Sequence, residues 1–384
     1  MVYNCNVDTR SLYIHWPFCP YRCTFCPFVA LASHNHFMGQ YHDALLKEIT
    51  LFAQSGDSKR QLETIFFGGG TPSTYPDDLL LDMSAKLKET FEIYDDAEVS
   101  IEVNPGTVSE QQLAFWKEIG INRLSIGVQS LDDAVLKKLN RLQTARDVKN
   151  VLGFAARFFE NISVDLIVGL PGTTKADWKK LLNEVITWPL KHISIYFLTL
   201  HNNTQLYFQV QQKNVALPCD DAVVDSYHWS VEFLKKHGFN QYETSNFSKP
   251  GYECKHNLVY WERKPYKGFG LGACSFDGTT RFENQKNLTQ YLQHVENGQD
   301  CSAKCEVLTE QQVKLEKIML GLRRSSGVSV AFLCEKSSQE KKRRFQETIE
   351  MLKESGHVQQ EGDNLVLTPL GFVLQNDIAV KLSL

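Results

Sequence analysis

The stretch Leu12-Tyr-Ile-His-Trp16, followed closely by Cys19-Pro-Tyr-Arg-Cys23-Thr-Phe-Cys26, decides how this chain is read. The apolar run reads as a short strand, and three thiols at spacings of four and three residues fall on the loop that leaves it. Such a loop can fold around one metal centre, because the intervening residues let each sulfur turn inward. Three ligands are an unusual count. A structural tetrahedral zinc takes a fourth protein ligand, and no second CxxC-type knuckle is evident. An iron–sulfur cube has four corners, so three thiolates leave one iron open to another ligand. Three unrelated buried cysteines are the plain alternative.

Composition narrows the setting. A chain of 384 residues allows two or three domains with a large core. A formal net charge of −4 gives no basic footprint, so nucleic acid is not expected as a partner. No run approaches the roughly 18 apolar residues that span a bilayer. The few residues before the first strand include Asp8 and Arg10 and do not read as a signal peptide, so a cytoplasmic location is expected. Ten cysteines in a reducing compartment point to metal or catalysis where they cluster. Cys5, Cys219, Cys254, Cys274 and Cys334 are scattered and read as structural, and the Cys301/Cys305 pair reads as chance spacing.

From residue 12 to about 200, short apolar runs alternate with longer amphipathic segments. The runs are Leu12–Trp16, Thr64–Phe67, Val99–Val103, Arg123–Val128, Ile162–Val168 and His192–Leu198. Helical patterns fall at Gln40–Ala53, Asp77–Phe91, Ser109–Ile119, Ala145–Phe159 and Lys175–Trp188. Ser109 with Gln112 reads as a capping box and Asp77 as an N-cap. Continuous apolar runs separated by helices predict parallel strands covered by helices. The expected class is therefore α/β, an incomplete parallel (β/α)6 barrel.

Chemistry in such folds gathers at the carboxyl edge of the strands. Strand ends there carry the cysteine loop, Gly68-Gly-Gly-Thr-Pro72, Glu102-Val-Asn-Pro105, Gly127-Val-Gln129, and Asp165 with Gly169-Leu-Pro-Gly172. A glycine run alone is a tight turn, and a lone carboxylate a solvated or paired group. Five unusual strand ends on one rim are harder to ascribe to turns.

The CxxxCxxC loop followed by GGGTP resembles the radical S-adenosylmethionine (SAM) superfamily over about residues 11–275. The resemblance implies that Cys19, Cys23 and Cys26 ligate a [4Fe–4S] cluster whose fourth iron takes SAM, with an electron donor as a further partner. Within it, Tyr13-Ile-His-Trp-Pro-Phe-Cys19, Ile101-Glu-Val-Asn-Pro-Gly106, Gly127-Val-Gln-Ser130, Leu139-Asn-Arg141 and Asp165-Leu-Ile-Val-Gly-Leu-Pro171 resemble the branch of oxygen-independent coproporphyrinogen III oxidases and HemW heme chaperones. Residue by residue, that implies SAM contacts at Tyr13, Phe25, Gly69, Gly70, Thr71, Glu102, Gln129, Arg141 and Asp165.

Two departures separate the sub-branches. The oxidases carry a fourth cysteine two residues beyond the third; here Phe28 stands there, and the arm before Cys19 is short. Both favour the chaperone. The sequence His256-Asn-Leu-Val-Tyr-Trp261, between Tyr242-Glu-Thr-Ser-Asn-Phe247 and Gly268-Phe-Gly-Leu-Gly-Ala273, is similar to a HemW motif whose histidine is associated with heme. Imidazole is a usual axial ligand, which makes His256 the expected heme residue. Heme and recipient hemoproteins, membrane-bound respiratory enzymes among them, are the implied partners, and a homodimer is allowed. Relatives commonly have His where Cys274 stands, and Cys274 reads here as a small buried filler.

The expected domains are 1–240, the partial barrel; 241–305, an aromatic-rich extension and connector with the heme site; and 306–384, a winged-helix-like unit. The last shows helix Thr309–Arg323, segment Val328–Leu333, helix Gln339–Glu354, strands His357–Gln360 and Asn364–Leu367, and a helix capped by Thr368. Its basic run Lys341-Lys-Arg-Arg344 reads as a solvated helix face.

Overall fold

A computed structural model describes residues 7–55, 60–335 and 338–383; Cys5 lies outside the described residues. Six parallel strands follow one another in chain order across one sheet: β1 (Ser11–Trp16), β2 (Gln61–Gly69), β3 (Glu92–Val103), β4 (Arg123–Gln129), β5 (Asn161–Val168) and β6 (His192–Phe197). Helices α1 (Met38–Gln54), α2 (Asp77–Thr90), α3 (Glu110–Ile119), α4 (Asp133–Lys138), α5 (Ala145–Phe158) and α6 (Lys175–Val185) lie on the connections. Parallel neighbours need such crossovers, and helices that bury one apolar face supply them. In α5, Val148, Val151, Leu152 and Ala155 form the buried stripe at helical spacing. The capping box of Ser109 and Gln112 is present. Asp77 is not a cap: Pro76 holds that position without a side-chain bond, and the Asp77 carboxylate accepts from Gln112 Nε2 instead.

Short strands after residue 239 extend the sheet on both sides, with Asn240–Gln241 outermost on one of them. β7 (Asn246–Ser248) pairs antiparallel with β6, and β8 (Lys267–Phe269) lies parallel to β1. Between β7 and β8 runs α7 (Lys255–Trp261), whose start is held at the amino end of the strands. The Glu98 carboxylate on β3 accepts from the backbone N–H groups of Lys255 and His256 at 3.0 and 3.1 Å. A helix begins with unsatisfied N–H groups, and an anion there is favourable. Within the extension and connector, a helix over Leu288–Glu296 is flanked by a small antiparallel sheet of β9 (Cys274–Phe276), β10 (Thr280–Asn284) and β11 (Ser302–Val307), which the sequence did not suggest. The polar, mostly exposed side chains of β11 hide that strand from an apolar-pattern reading.

The C-terminal unit has its own core, built on Ile318, Leu322, Phe345, Leu352 and Leu365. Its strands Val358–Glu361 and Asn364–Leu367 form the wing, and Thr368 caps the helix that follows. It meets the barrel through Thr244 N–H on the Arg323 carbonyl and through a half-buried Arg324–Glu262 ion pair. No helix among the described residues is long and apolar enough to cross a membrane.

Candidate radical SAM site

The cysteine loop is gripped by its neighbours through backbone and side-chain bonds. Thr24 N–H donates to the Leu139 carbonyl at 3.0 Å, and Asn140 Nδ2 donates to the Arg22 carbonyl at 2.8 Å. Arg141 Nη1 lies 3.6 Å from Cys23 Sγ, while its Nη2 donates to the Gly127 carbonyl at 2.6 Å. The whole Leu139-Asn-Arg141 turn therefore serves the loop, and Asn140 adopts a left-handed φ of 54° to do so. Tyr21 is held in turn, because Asn104 Nδ2 donates to its hydroxyl at 2.6 Å.

The three thiols line a cavity of about 410 Å³ at the carboxyl end of the strands, as do Phe25, Gly69, Gly70, Thr71, Glu102, Gln129, Arg141 and Asp165. Residues far apart in sequence thus meet where the parallel sheet gathers its strand ends. Tyr13, expected with them, lines a different cavity on the other side of the loop. His256 lines neither. Among the described residues no His, Cys, Asp and Glu side chains converge tightly enough to hold one metal ion. A cube of four irons needs wider spacing than that.

The donor set suits such a cube. Burial pushes the Cys19 thiol up to about 11 despite the bond from Thr71 Oγ1 at 3.2 Å, and Cys26 is raised for the same reason. Cys26 and Cys23 add to the rise at Cys19, and Cys23 to that at Cys26, so thiolates persist there only beside a compensating cation. Thr71 and Arg141 supply the hydrogen-bond donors that tune thiolate ligands. Gly70 is obligatory: a Cβ would stand 2.4 Å from the Pro17 carbonyl oxygen and 3.0 Å from Cys19 Sγ.

Two carboxylates face the same space. Burial, then the neighbouring Asp165, pushes Glu102 up to about 8, against one donor, Gly69 N–H, at 3.1 Å. Asp165 is also raised by burial, opposed by Ser194, Arg123 and Ser125. Such a pair is poised to receive a cationic or hydroxyl-bearing ligand, which restores what burial removes. Gln129 lines the cavity with φ at 64°, beside an irregularity in the β4–β5 register. A left-handed Gln at a strand end is a local strain of the kind that gathers at binding sites. Gln143 was not evident from sequence; it is buried, accepts from Arg141 Nε and donates to the Gly127 and Val128 carbonyls.

The second cavity, also about 410 Å³, is lined by Tyr13, His15, Tyr260, Tyr266 and Cys274 and shares Pro27, Phe28, Gly69 and Glu102 with the first. His15 is held neutral by burial, which lowers it to about 4. The Val29 carbonyl can only accept, so Nε2 of His15 carries the proton and Nδ1 receives the Tyr13 hydroxyl. Cys274 is exposed, contrary to its reading as a buried filler, because β9 turns it outward while Ser275 takes the inner position. His256 is buried inside the barrel's amino end, stacked on Phe66, with Nδ1 bonded to Thr64 and Nε2 to the Tyr260 hydroxyl, both at 2.8 Å. Burial lowers it to about 3, and in this conformation neither ring nitrogen is open to iron.

A partial (β/α)6 barrel with three thiols, a glycine turn and two carboxylates on its carboxyl rim defines a radical SAM protein. The family model for the Radical SAM superfamily matches residues 13–185, and that for the HemN C-terminal domain matches 308–374. The heme chaperone HemW of Bacillus subtilis is 34% identical over 96% of this chain and 98% of its own length. That of Synechocystis is 38% identical over 84% and 80%. The mouse mitochondrial radical S-adenosyl methionine domain-containing protein 1 is 35% identical over 84% and 75%. The chain belongs to the HemW family. In fold it matches coproporphyrinogen III oxidase (HemN) of Escherichia coli, with a TM-score of 0.83 at 24% identity, covering 99% of this chain and 91% of that one.

Proposed function

We propose that this chain is a heme chaperone of the HemW type, resident in the cytoplasm. It holds a [4Fe–4S] cluster on Cys19, Cys23 and Cys26 and SAM beside it, and hands heme to recipient hemoproteins, membrane-bound respiratory enzymes among them. The observation that carries the reading is the match to curated HemW proteins over nearly the whole chain. Phe28 supports it, because a phenyl ring stands where the oxidases carry a further thiol.

When bound, the cluster supplies electrons for reductive chemistry on SAM. The chain's own residues do the rest. Arg141 and Thr71 direct donors at the thiolates, the Gly69–Gly70 backbone lets a ligand approach closely, and Glu102 and Asp165 receive its polar groups. His256 would support heme from its present position through Tyr260, and could hold the iron itself only once the Tyr260 hydroxyl left Nε2.

The fold match to HemN keeps the oxidase as a second reading. Anaerobic reconstitution separates the two. Heme bound at one equivalent and passed to an apo-hemoprotein, with no decarboxylated product from coproporphyrinogen III, SAM and reductant, is the expected result. Product at useful turnover would sink the chaperone reading. Loss of heme from the His256→Ala protein makes His256 necessary, and unchanged heme affinity removes it.

A further inference from the structure

The second cavity has the makings of a ligand site in its own right. Its volume, about 410 Å³, falls in the range of cofactor-sized pockets. Its walls are aromatic and fixed: the Tyr260 and Tyr266 rings meet edge to face at 4.7 Å and 87°, and Tyr13 stacks on Phe66 at 6.3 Å. A flat, largely apolar ligand fits walls of that kind. Phe28, 65% exposed, and Cys274 stand in the lining at the solvent side.

The lining offers two residues of metal-ligating type besides carboxylate and phenol, and they differ in freedom. Both nitrogens of His15 are committed, to Tyr13 and to the Val29 carbonyl, so recruiting it would release the end of the cysteine loop. The Cys274 side chain makes no hydrogen bond among the described residues. It faces Glu283 across the β9–β10 pair, and that carboxylate bridges both Lys286 and Lys304. Lys286 itself lines the cavity, and Arg281 nearby is paired with Glu316. Burial, then Glu283, raises the Cys274 thiol, and Lys286, Arg281 and Lys304 oppose them, so the free cavity keeps the thiol protonated and a metal that binds the sulfur displaces that proton.

We infer that the tyrosine-walled cavity is a heme site whose iron ligand is the Cys274 thiolate, with Lys286 toward the propionates. The inference rests on the heme-chaperone reading. On binding ferric heme, the Cys274 Sγ–H proton passes to solvent and an Fe–S bond forms, with no change in the oxidation state of the iron. Phe28 then stands between the heme cavity and the cluster cavity, since it lines both.

Ferric heme is titrated into the reconstituted full chain, its absorption and electron paramagnetic resonance spectra reporting the axial ligand. Wild type should show a thiolate signature. Cys274→Ser should lose it and bind heme about tenfold more weakly or worse, the order seen when a metal site loses even an outer partner. Cys274→His should restore tight binding with an imidazole signature, which a merely structural cysteine would not give. An unchanged signature and affinity in Cys274→Ser overturns the assignment. So does a signature lost in His256→Ala and kept in Cys274→Ser, and that result leaves the chaperone reading standing. Absence of heme binding by wild type overturns both.

Discussion

Glu98 and Glu102 lie on the same strand, four residues apart, and both turn toward the barrel interior, yet they work at opposite ends of it. Glu98 accepts from two helix N–H groups and from Cys254 Sγ at 3.4 Å, closing the amino end of the barrel with α7. Glu102 has the single Gly69 donor and an open cavity before it. One carboxylate is consumed by the fold and the other is kept for a ligand. The same division separates His256, with both nitrogens bonded, from Cys274, with an unbonded thiol. A residue type therefore announces chemistry only when its bonding capacity is unspent.

The sharpest way to test the division is at the cysteines. Replacing Cys19, Cys23 or Cys26 with Ala should abolish the cluster, read as iron content and visible absorbance, while leaving the thermal midpoint near that of the metal-free wild type. A collapse of the fold would show that the open end also carries stability.

Next come the two glutamates. Glu98→Gln should cost about 1.5–3 kcal/mol in urea unfolding, the value of hydrogen bonds to a charged group. Glu102→Gln should instead weaken SAM binding by about tenfold or more, as loss of one charge-assisted bond does. If both variants lose stability alike, the two ends are not distinct.

Titration offers a smaller contrast. Below about 4.5 both folded and unfolded chains keep the Glu102 proton, and the group costs nothing. As pH rises toward about 8 the unfolded chain ionises first, so Glu102 progressively lowers stability, and above that value the loss is complete. A ligand that needs the carboxylate should bind more tightly as pH approaches 8, by at most about tenfold per unit, and Glu102→Gln should flatten the profile. The smallest effect is expected at Gln129. Gln129→Gly removes the strain of a φ of 64° and should gain about 0.5–1 kcal/mol of stability while loosening SAM binding, read by calorimetry.

Much of the site was legible because its residues cluster within short motifs at strand ends, where the loop and the Gly68–Thr71 turn follow apolar runs directly. The Leu139–Arg141 motif was legible as a signature, but its task of holding the loop depends on tertiary contact. The barrel's other end was far less readable. Glu98 precedes the apolar run Val99–Val103 and looks like a flanking polar residue, since nothing local says that the lumen accepts charge. β7 and β8 are three residues long and pair with strands distant in sequence, so no periodicity marks them. The aromatic motif around His256 was visible, but its direction was not: in a seven-residue helix with only His256 and Val259 buried, the apolar spacing is too short to orient it.

The bonds from Leu139, Asn140 and Arg141 to the cysteine loop have a thermodynamic corollary. Ordering a residue costs about 1–2 kcal/mol of conformational entropy, and here the loop is ordered when the barrel folds rather than when iron arrives. Iron affinity is thereby separated from folding, unlike that of small metal modules that are unfolded without their ion. A cluster bound there would be a passenger in a seat that stays upright, and stripping and reloading it should leave the chain able to accept iron again.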